Sequence, residues 1–127
     1  MGLMLSPADD DVAGPDVSWS HYGFHLFRQW LARAEGFALL DMVGFGGQRA
    51  WSSVTTTLEP LLHHPDDSGD LTPAQCAAML PRLEELAAER PEAAADPDLE
   101  RRRIDDTRQL IEVMKHCVDK GVSLCFS

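Results

Sequence analysis

The segment His64-Pro65-Asp66-Asp67-Ser68-Gly69-Asp70-Leu71-Thr72-Pro73-Ala74-Gln75 is where residue types and spacing come closest to chemistry. A calcium loop of the EF-hand type needs oxygen ligands at positions 1, 3, 5, 7 and 9, glycine at 6 for the turn, and a bidentate carboxylate at 12. With Gly69 at position 6, Asp66 falls at 3, Ser68 at 5, the Asp70 carbonyl at 7, Thr72 at 9 and Gln75 at 12. Position 1 is His64 and position 12 is neutral, so Asp66 is the one carboxylate in register. The candidate cation ligands are therefore His64, Asp66, Ser68, Asp70, Thr72 and Gln75. The expected affinity for Ca2+ is weak, on the order of 0.1 to 1 mM or poorer. The competing reading needs no ion: Ser68-Gly69 makes a turn and Thr72 caps the next helix.

Other chemistry finds less support. His21 and His25 are four residues apart, so a helix places both on one side, with His63, His64, Cys76 or His116 as further metal ligands. No HExxH or paired His/Cys spacing accompanies them. Gly44-Phe45-Gly46-Gly47 lacks the later glycine of a dinucleotide loop and the lysine of a P-loop. His116 and Cys117 are adjacent, yet neighbours on a helix point about 100° apart, which separates a nucleophile from its base. No catalytic residue is nominated.

Elements must hold these residues. Tyr22, Phe24, Phe27, Trp30, Leu31 and Ala34 recur at helical spacing, with Ser18 or Ser20 as N-cap and Arg28 and Arg33 facing away. Residues 37–47 read as a short element and a turn, and 51–63 as a helix weakened by Thr55–Thr57. Thr72-Pro73-Ala74-Gln75 is a capping box with proline at the first helical position, opening a helix through Cys76, Met79, Leu80, Leu83, Leu86 and Ala87 that Pro81 could kink. Asp96-Pro97 opens the last helix, with Ile104, Leu110, Ile111, Met114, Cys117 and Val118 on its apolar face and Gly121 as its stop. Val122, Leu124 and Phe126 alternate with polar or small residues, as a short strand or extended segment does.

The expected fold is mainly α: a single helical domain over residues 18–127, with four to five helices, an EF-hand-like helix-loop-helix and at most a short C-terminal strand. Residues 1–17, with Asp9-Asp10-Asp11 and few groups to bury, read as a flexible acidic arm.

The chain resembles a group of small bacterial and phage-associated proteins that carry a His-x-Asp-x-Asp-Gly-x-(Ile/Leu)-(Ser/Thr)-Pro loop. The resemblance spans about Tyr22 to Phe126, through Gly23-Phe24, Phe27-Arg28, His64-Pro65-Asp66, Gly69-Asp70-Leu71-Thr72-Pro73, Cys76 and Leu124-Cys125-Phe126. It implies a helical fold and brings no activity with it. Ser68 stands where that pattern has its second loop aspartate. Nine arginines against two lysines, with abundant Ala, Asp and Pro, fit a GC-rich bacterial genome.

The 127 residues carry a formal charge of -10, with ten acids against three bases in residues 1–70 and eleven against eight in 71–127. That disfavours binding to a nucleic-acid backbone, which needs clustered Lys and Arg; Arg101-Arg102-Arg103 is followed by Asp105-Asp106 and reads as a solvated face. No basic leader with a long apolar run opens the sequence, and no apolar run approaches membrane-spanning length, so the expected compartment is the cytoplasm. Met1-Gly2 with Ser6 fits a permissive myristoylation pattern that acts only in a eukaryotic host. Three cysteines at wide spacing suit a reduced compartment.

The function expected from these features is a small acidic, non-enzymatic module that contacts another protein, with no required cofactor and optional weak Ca2+ binding. An acidic inhibitor or immunity-type protein facing a basic partner is the alternative, and a small enzyme the third. Oligomeric state is open at this point.

Overall fold

A computed structural model describes residues 2–8, 15–64, 69–88 and 96–126. Strands β1 (Gly2–Pro7), β2 (Val17–Ser20), β3 (Asp70–Leu71) and β4 (Leu124–Phe126) form one antiparallel sheet in the order β2-β1-β4-β3. The helices are α1 (His21–Ala34), a single turn α2 (Glu59–Leu62), α3 (Pro73–Ala87) and α4 (Pro97–Lys120), with 3-10 turns at Leu39–Asp41 and Trp51–Ser53. The fold is mixed α/β, though mainly helical, which overturns the expected mainly α bundle with one strand at most.

The correction begins at β1, inside the stretch read as a flexible arm. Leu3 and Leu5 alternate with Met4 and Ser6, and the two leucines are buried. β1 pairs Leu3 with Trp19 and Leu5 with Val17 on one side, and Leu5 with Phe126 on the other. Two leucines are too few for a core by themselves, and they become one only beside partners from the far end of the chain. The acidic run Asp9-Asp10-Asp11 lies outside the described residues. The opposite sheet face carries Met4, Ser6, Ser18, Asp70 and Cys125, with Cys125 in register between Ser6 and Asp70.

Helices α1 and α4 cover the apolar face of the sheet, and α3 packs along α4. Ser20 caps α1, its Oγ accepting the Gly23 N–H at 2.9 Å. The capping box of α3 is complete: Thr72 Oγ1 accepts from Gln75 N at 3.1 Å and Gln75 Oε1 from Thr72 N at 2.9 Å. The helix continues through Pro81 to Ala87. Asp96 caps α4, and Gly121 at φ 67° ends it. There the N–H groups of Gly121 and Val122 return to the Val118 and Cys117 carbonyls, the pairing of a Schellman motif.

Residues 51–63 differ from the expected helix. The 3-10 turn at Trp51–Ser53 and the single turn of α2 are separated by the Thr55–Thr57 stretch. β-branched threonines lose side-chain freedom in a helix, and Pro60 fits only the first turn of α2. Arg28 also departs from expectation: it was placed on the solvent side of α1 and is only 3% exposed.

Candidate functional site

Two regions gather the groups that could act on something outside the chain. The first is the 64–75 loop. Its Asp66 and Ser68 lie outside the described residues, and the other four nominated residues are in place. The His64 ring stacks on Phe126, centroids 3.9 Å apart, and its Nε2 lies 2.9 Å from the Asp70 carbonyl. A carbonyl only accepts, so Nε2 carries the proton and donates. The Thr72 hydroxyl and Gln75 amide oxygens both serve the capping box. Each described oxygen offered to a cation at positions 7, 9 and 12 thus already accepts a hydrogen bond from the protein. Among the described residues no group of three His, Cys, Asp or Glu side chains is placed to hold a metal ion.

Arg28 fastens this loop from below. Its Nη1 donates to the Leu62 carbonyl at 3.2 Å and the His64 carbonyl at 2.6 Å, at the end of α2. The guanidinium lies 4.5 Å from the Phe24 ring centroid and 5.2 Å from that of Phe45. Its charge meets carbonyl dipoles and aromatic faces, both favourable to a cation. The sequence signal was weak: an arginine on a helix with aromatics four residues before it.

The nominated histidines are spread apart in their roles. His25 is held 2.9 Å from the Gln29 amide and stacks on Phe45, whereas His63 stacks on Trp51 with centroids 4.5 Å apart. The cysteines are free thiols. Burial pushes the Cys76 thiol up to about 11, a poor setting for a nucleophile, which acts as its thiolate. Cys117 Sγ faces the Ser123 carbonyl at 3.7 Å.

Under β2, Asp106 lies 3.6 Å from Arg103. Burial raises the Asp106 carboxyl above its ordinary value, opposed by the Trp19 indole and by Arg103. The buried Trp19 N–H faces this carboxyl without completing a hydrogen bond.

The second region is the loop 36–47, where the expected short element before a turn is the 3-10 turn Leu39–Asp41. It is tightly tied: Val43 N donates to Arg49 O, Arg49 N to Asp41 O, and the Trp51 indole to Val43 O at 3.0 Å. Gly47 approaches Asp41 so closely that a Cβ there would overlap the Asp41 carbonyl. Phe37, Leu39, Met42 and Trp51 are buried beneath it, whereas Leu40 and Val43 remain 53% and 49% exposed. Behind Leu40 runs a groove of about 540 Å³, lined by Phe37, Leu39 and Leu40 with Gln29 and Arg33 at its polar side. Arg33 also borders a smaller hollow of about 230 Å³ with Trp30, Leu86 and Glu100.

In comparisons with protein-family models, curated proteins and solved structures, nothing matches the chain. No helix among the described residues is long and apolar enough to cross a membrane.

Proposed function

We propose that this chain is a small, non-enzymatic protein-interaction module of the cytoplasm that meets its partner through the 36–47 loop. The observation that carries the reading is the pair Leu40 and Val43, two large apolar side chains held in water by a loop whose backbone is fixed. Exposed apolar groups on a pre-ordered backbone lose little freedom on docking, and burying them is favourable. In this reading the 64–75 loop is a clasp that joins α2, the sheet and α3, and it requires no cation. Three free thiols suit a reducing compartment.

The apolar loop is preferred over a purely polyanionic surface for a basic partner. The long exposed face of α4 carries mixed charge in i,i+3 pairs, Arg101 with Asp98 and Arg108 with Asp105. The acid excess is therefore diluted on that face.

The test is photo-crosslinking in an extract of the native host, with a photoreactive residue at Leu40 and, as control, at Asp98. A discrete adduct from Leu40 alone, lost on adding Val43→Asp, supports the reading. Equal adducts from both positions, or none from either, would defeat it.

A further inference from the structure

We infer that the start of α4, residues 96–102, unwinds as a unit while the rest of the fold stays closed, and that the hydrogen bond from the Trp30 indole to Glu100 is the latch that holds it shut. Local opening of this kind belongs to segments with few buried apolar groups. The two parts of α4 differ in that respect.

From Arg103 onward the helix is anchored. Ile104, Thr107, Leu110 and Met114 are buried, and Arg108 Nη2 donates to the Ala87 carbonyl at 3.2 Å, which ties α4 to the end of α3. Before Arg103 no residue of the helix or its cap is buried, and Leu99, the large apolar side chain of that stretch, is 45% exposed. The contacts that residues 96–102 do make are mostly their own. Asp96 accepts from the Leu99 N–H at 3.2 Å, and Arg101 meets Asp98 at 3.3 Å. That ion pair lies in water, where such pairs add little. Among the described residues, one hydrogen bond joins the stretch to another element: Trp30 Nε1, on α1, donates to Glu100 Oε2 at 3.0 Å.

The latch borders a hollow of about 230 Å³, lined by Trp30 and Glu100 with Arg33, Ala34 and Leu86. Groups across a gap forfeit the dispersion contacts that close packing would give, so at this point the hydrogen bond has little apolar contact to support it. When residues 96–102 unwind, Glu100 leaves, the hollow loses one wall and the Trp30 indole meets water. The boundary of the motion is set at Arg103, which is 9% exposed and paired with Asp106.

The experiment is native-state amide hydrogen exchange on the full chain, read residue by residue by NMR, for wild type, Glu100→Ala, Glu100→Gln and Trp30→Phe. The N–H groups of residues 101–104 bond to the carbonyls of 97–100 and report the stretch, whereas those of 110–117 report the anchored part. In wild type the first set is expected to exchange at least about tenfold faster than the second, after correction for the intrinsic rate of each amide. Glu100→Ala removes the acceptor and should speed the first set by about a further fivefold, the scale of one hydrogen bond, with the second set unchanged. Glu100→Gln keeps an acceptor oxygen and should return rates to near the wild-type values. Trp30→Phe removes the donor but leaves the acidic first turn of α4 intact, so an equal effect from it assigns the change to the hydrogen bond rather than to the charge of Glu100. Circular dichroism checks that each variant folds, and Glu100→Ala, on a half-open position, decides the matter if Trp30→Phe does not fold. Equal rates for the two sets in wild type would mean that the stretch opens only with the whole fold and would overturn the inference. So would a Glu100→Ala variant that leaves residues 101–104 unchanged or speeds both sets alike.

Discussion

Arg28 Nη1 lies 2.6 Å from the carbonyl oxygen of His64, and this one hydrogen bond ties the first helix to a residue thirty-six positions later. The His64 ring in turn stacks on Phe126 and binds the Asp70 carbonyl. α1, the end of α2, β3 and β4 therefore meet at two side chains.

Replacing Arg28 with Met keeps much of the packing volume and removes both donations. Leaving the Leu62 and His64 carbonyls short of a donor is expected to cost about 2 to 3 kcal/mol. Urea unfolding followed by tryptophan fluorescence measures it, and a change below about 0.5 kcal/mol, the usual scale of surface substitutions, would show that Arg28 does not fasten the loop.

The clasp reading of the 64–75 loop makes a calorimetric prediction. EDTA-stripped wild type is expected to give no saturable heat with calcium up to about 1 mM, the weak end of calcium-loop affinities. Gln75→Glu keeps an acceptor for the Thr72 N–H and adds the carboxylate that position 12 lacks. It too should stay silent if the loop is closed by its own hydrogen bonds, and saturable heat from it would mean the loop geometry can accept a cation. Thr72→Ala, which breaks the capping box, should cost about 1 kcal/mol.

Asp106 sets a pH dependence with a definite sign. Its folded-state pKa is raised, chiefly by burial, so the folded chain holds this proton more tightly than the unfolded chain does. The stabilisation associated with it is full below the ordinary carboxylate value of 3.8 and is lost as pH rises through the folded value. Asp106→Asn, which never ionises, should therefore gain stability relative to wild type between about pH 4 and 7. Denaturant titrations of both proteins across that range check it, and a gap that shrinks toward neutrality would show that the Arg103 ion pair outweighs burial.

Thiol labelling should separate the cysteines. Cys76 and Cys117 are buried, and Cys125 lies partly open on the outer sheet face. Brief iodoacetamide treatment of the native protein should add one group, at Cys125, against three in denaturant, as read by mass spectrometry. Early modification of Cys76 would contradict its burial and raised pKa.

The parts of the fold legible in the sequence are those decided locally. Thr72 with Gln75 and Asp96 with Pro97 start helices through groups within four residues, and Gly121 ends one by its own backbone freedom. β1 was hidden because its meaning is remote: Leu5 matters through Phe126. Arg28 was misplaced because helical spacing puts it beside the apolar face but does not say that carbonyls from residues 62 and 64 arrive to receive it. For the site, spacing nominated oxygen atoms in the loop and could not tell that a capping box and a histidine already occupy Asp70, Thr72 and Gln75. The 36–47 surface was invisible for a related reason, since which of its apolar residues face inward is fixed by the turn that Gly47 permits.

The strand order carries a consequence for how the chain is made. β1 is an inner strand, yet one neighbour, β4, is translated more than a hundred residues later. At ribosomal speeds of about 5–20 residues per second, β1 waits on the order of ten seconds for β4, with only β2 and then α1 to pack against, and a two-stranded pair has little stability of its own in water. Through that interval the side of Leu5 that will pair with Phe126 has no strand beside it, so the sheet is completed only after α3 and α4 have been made.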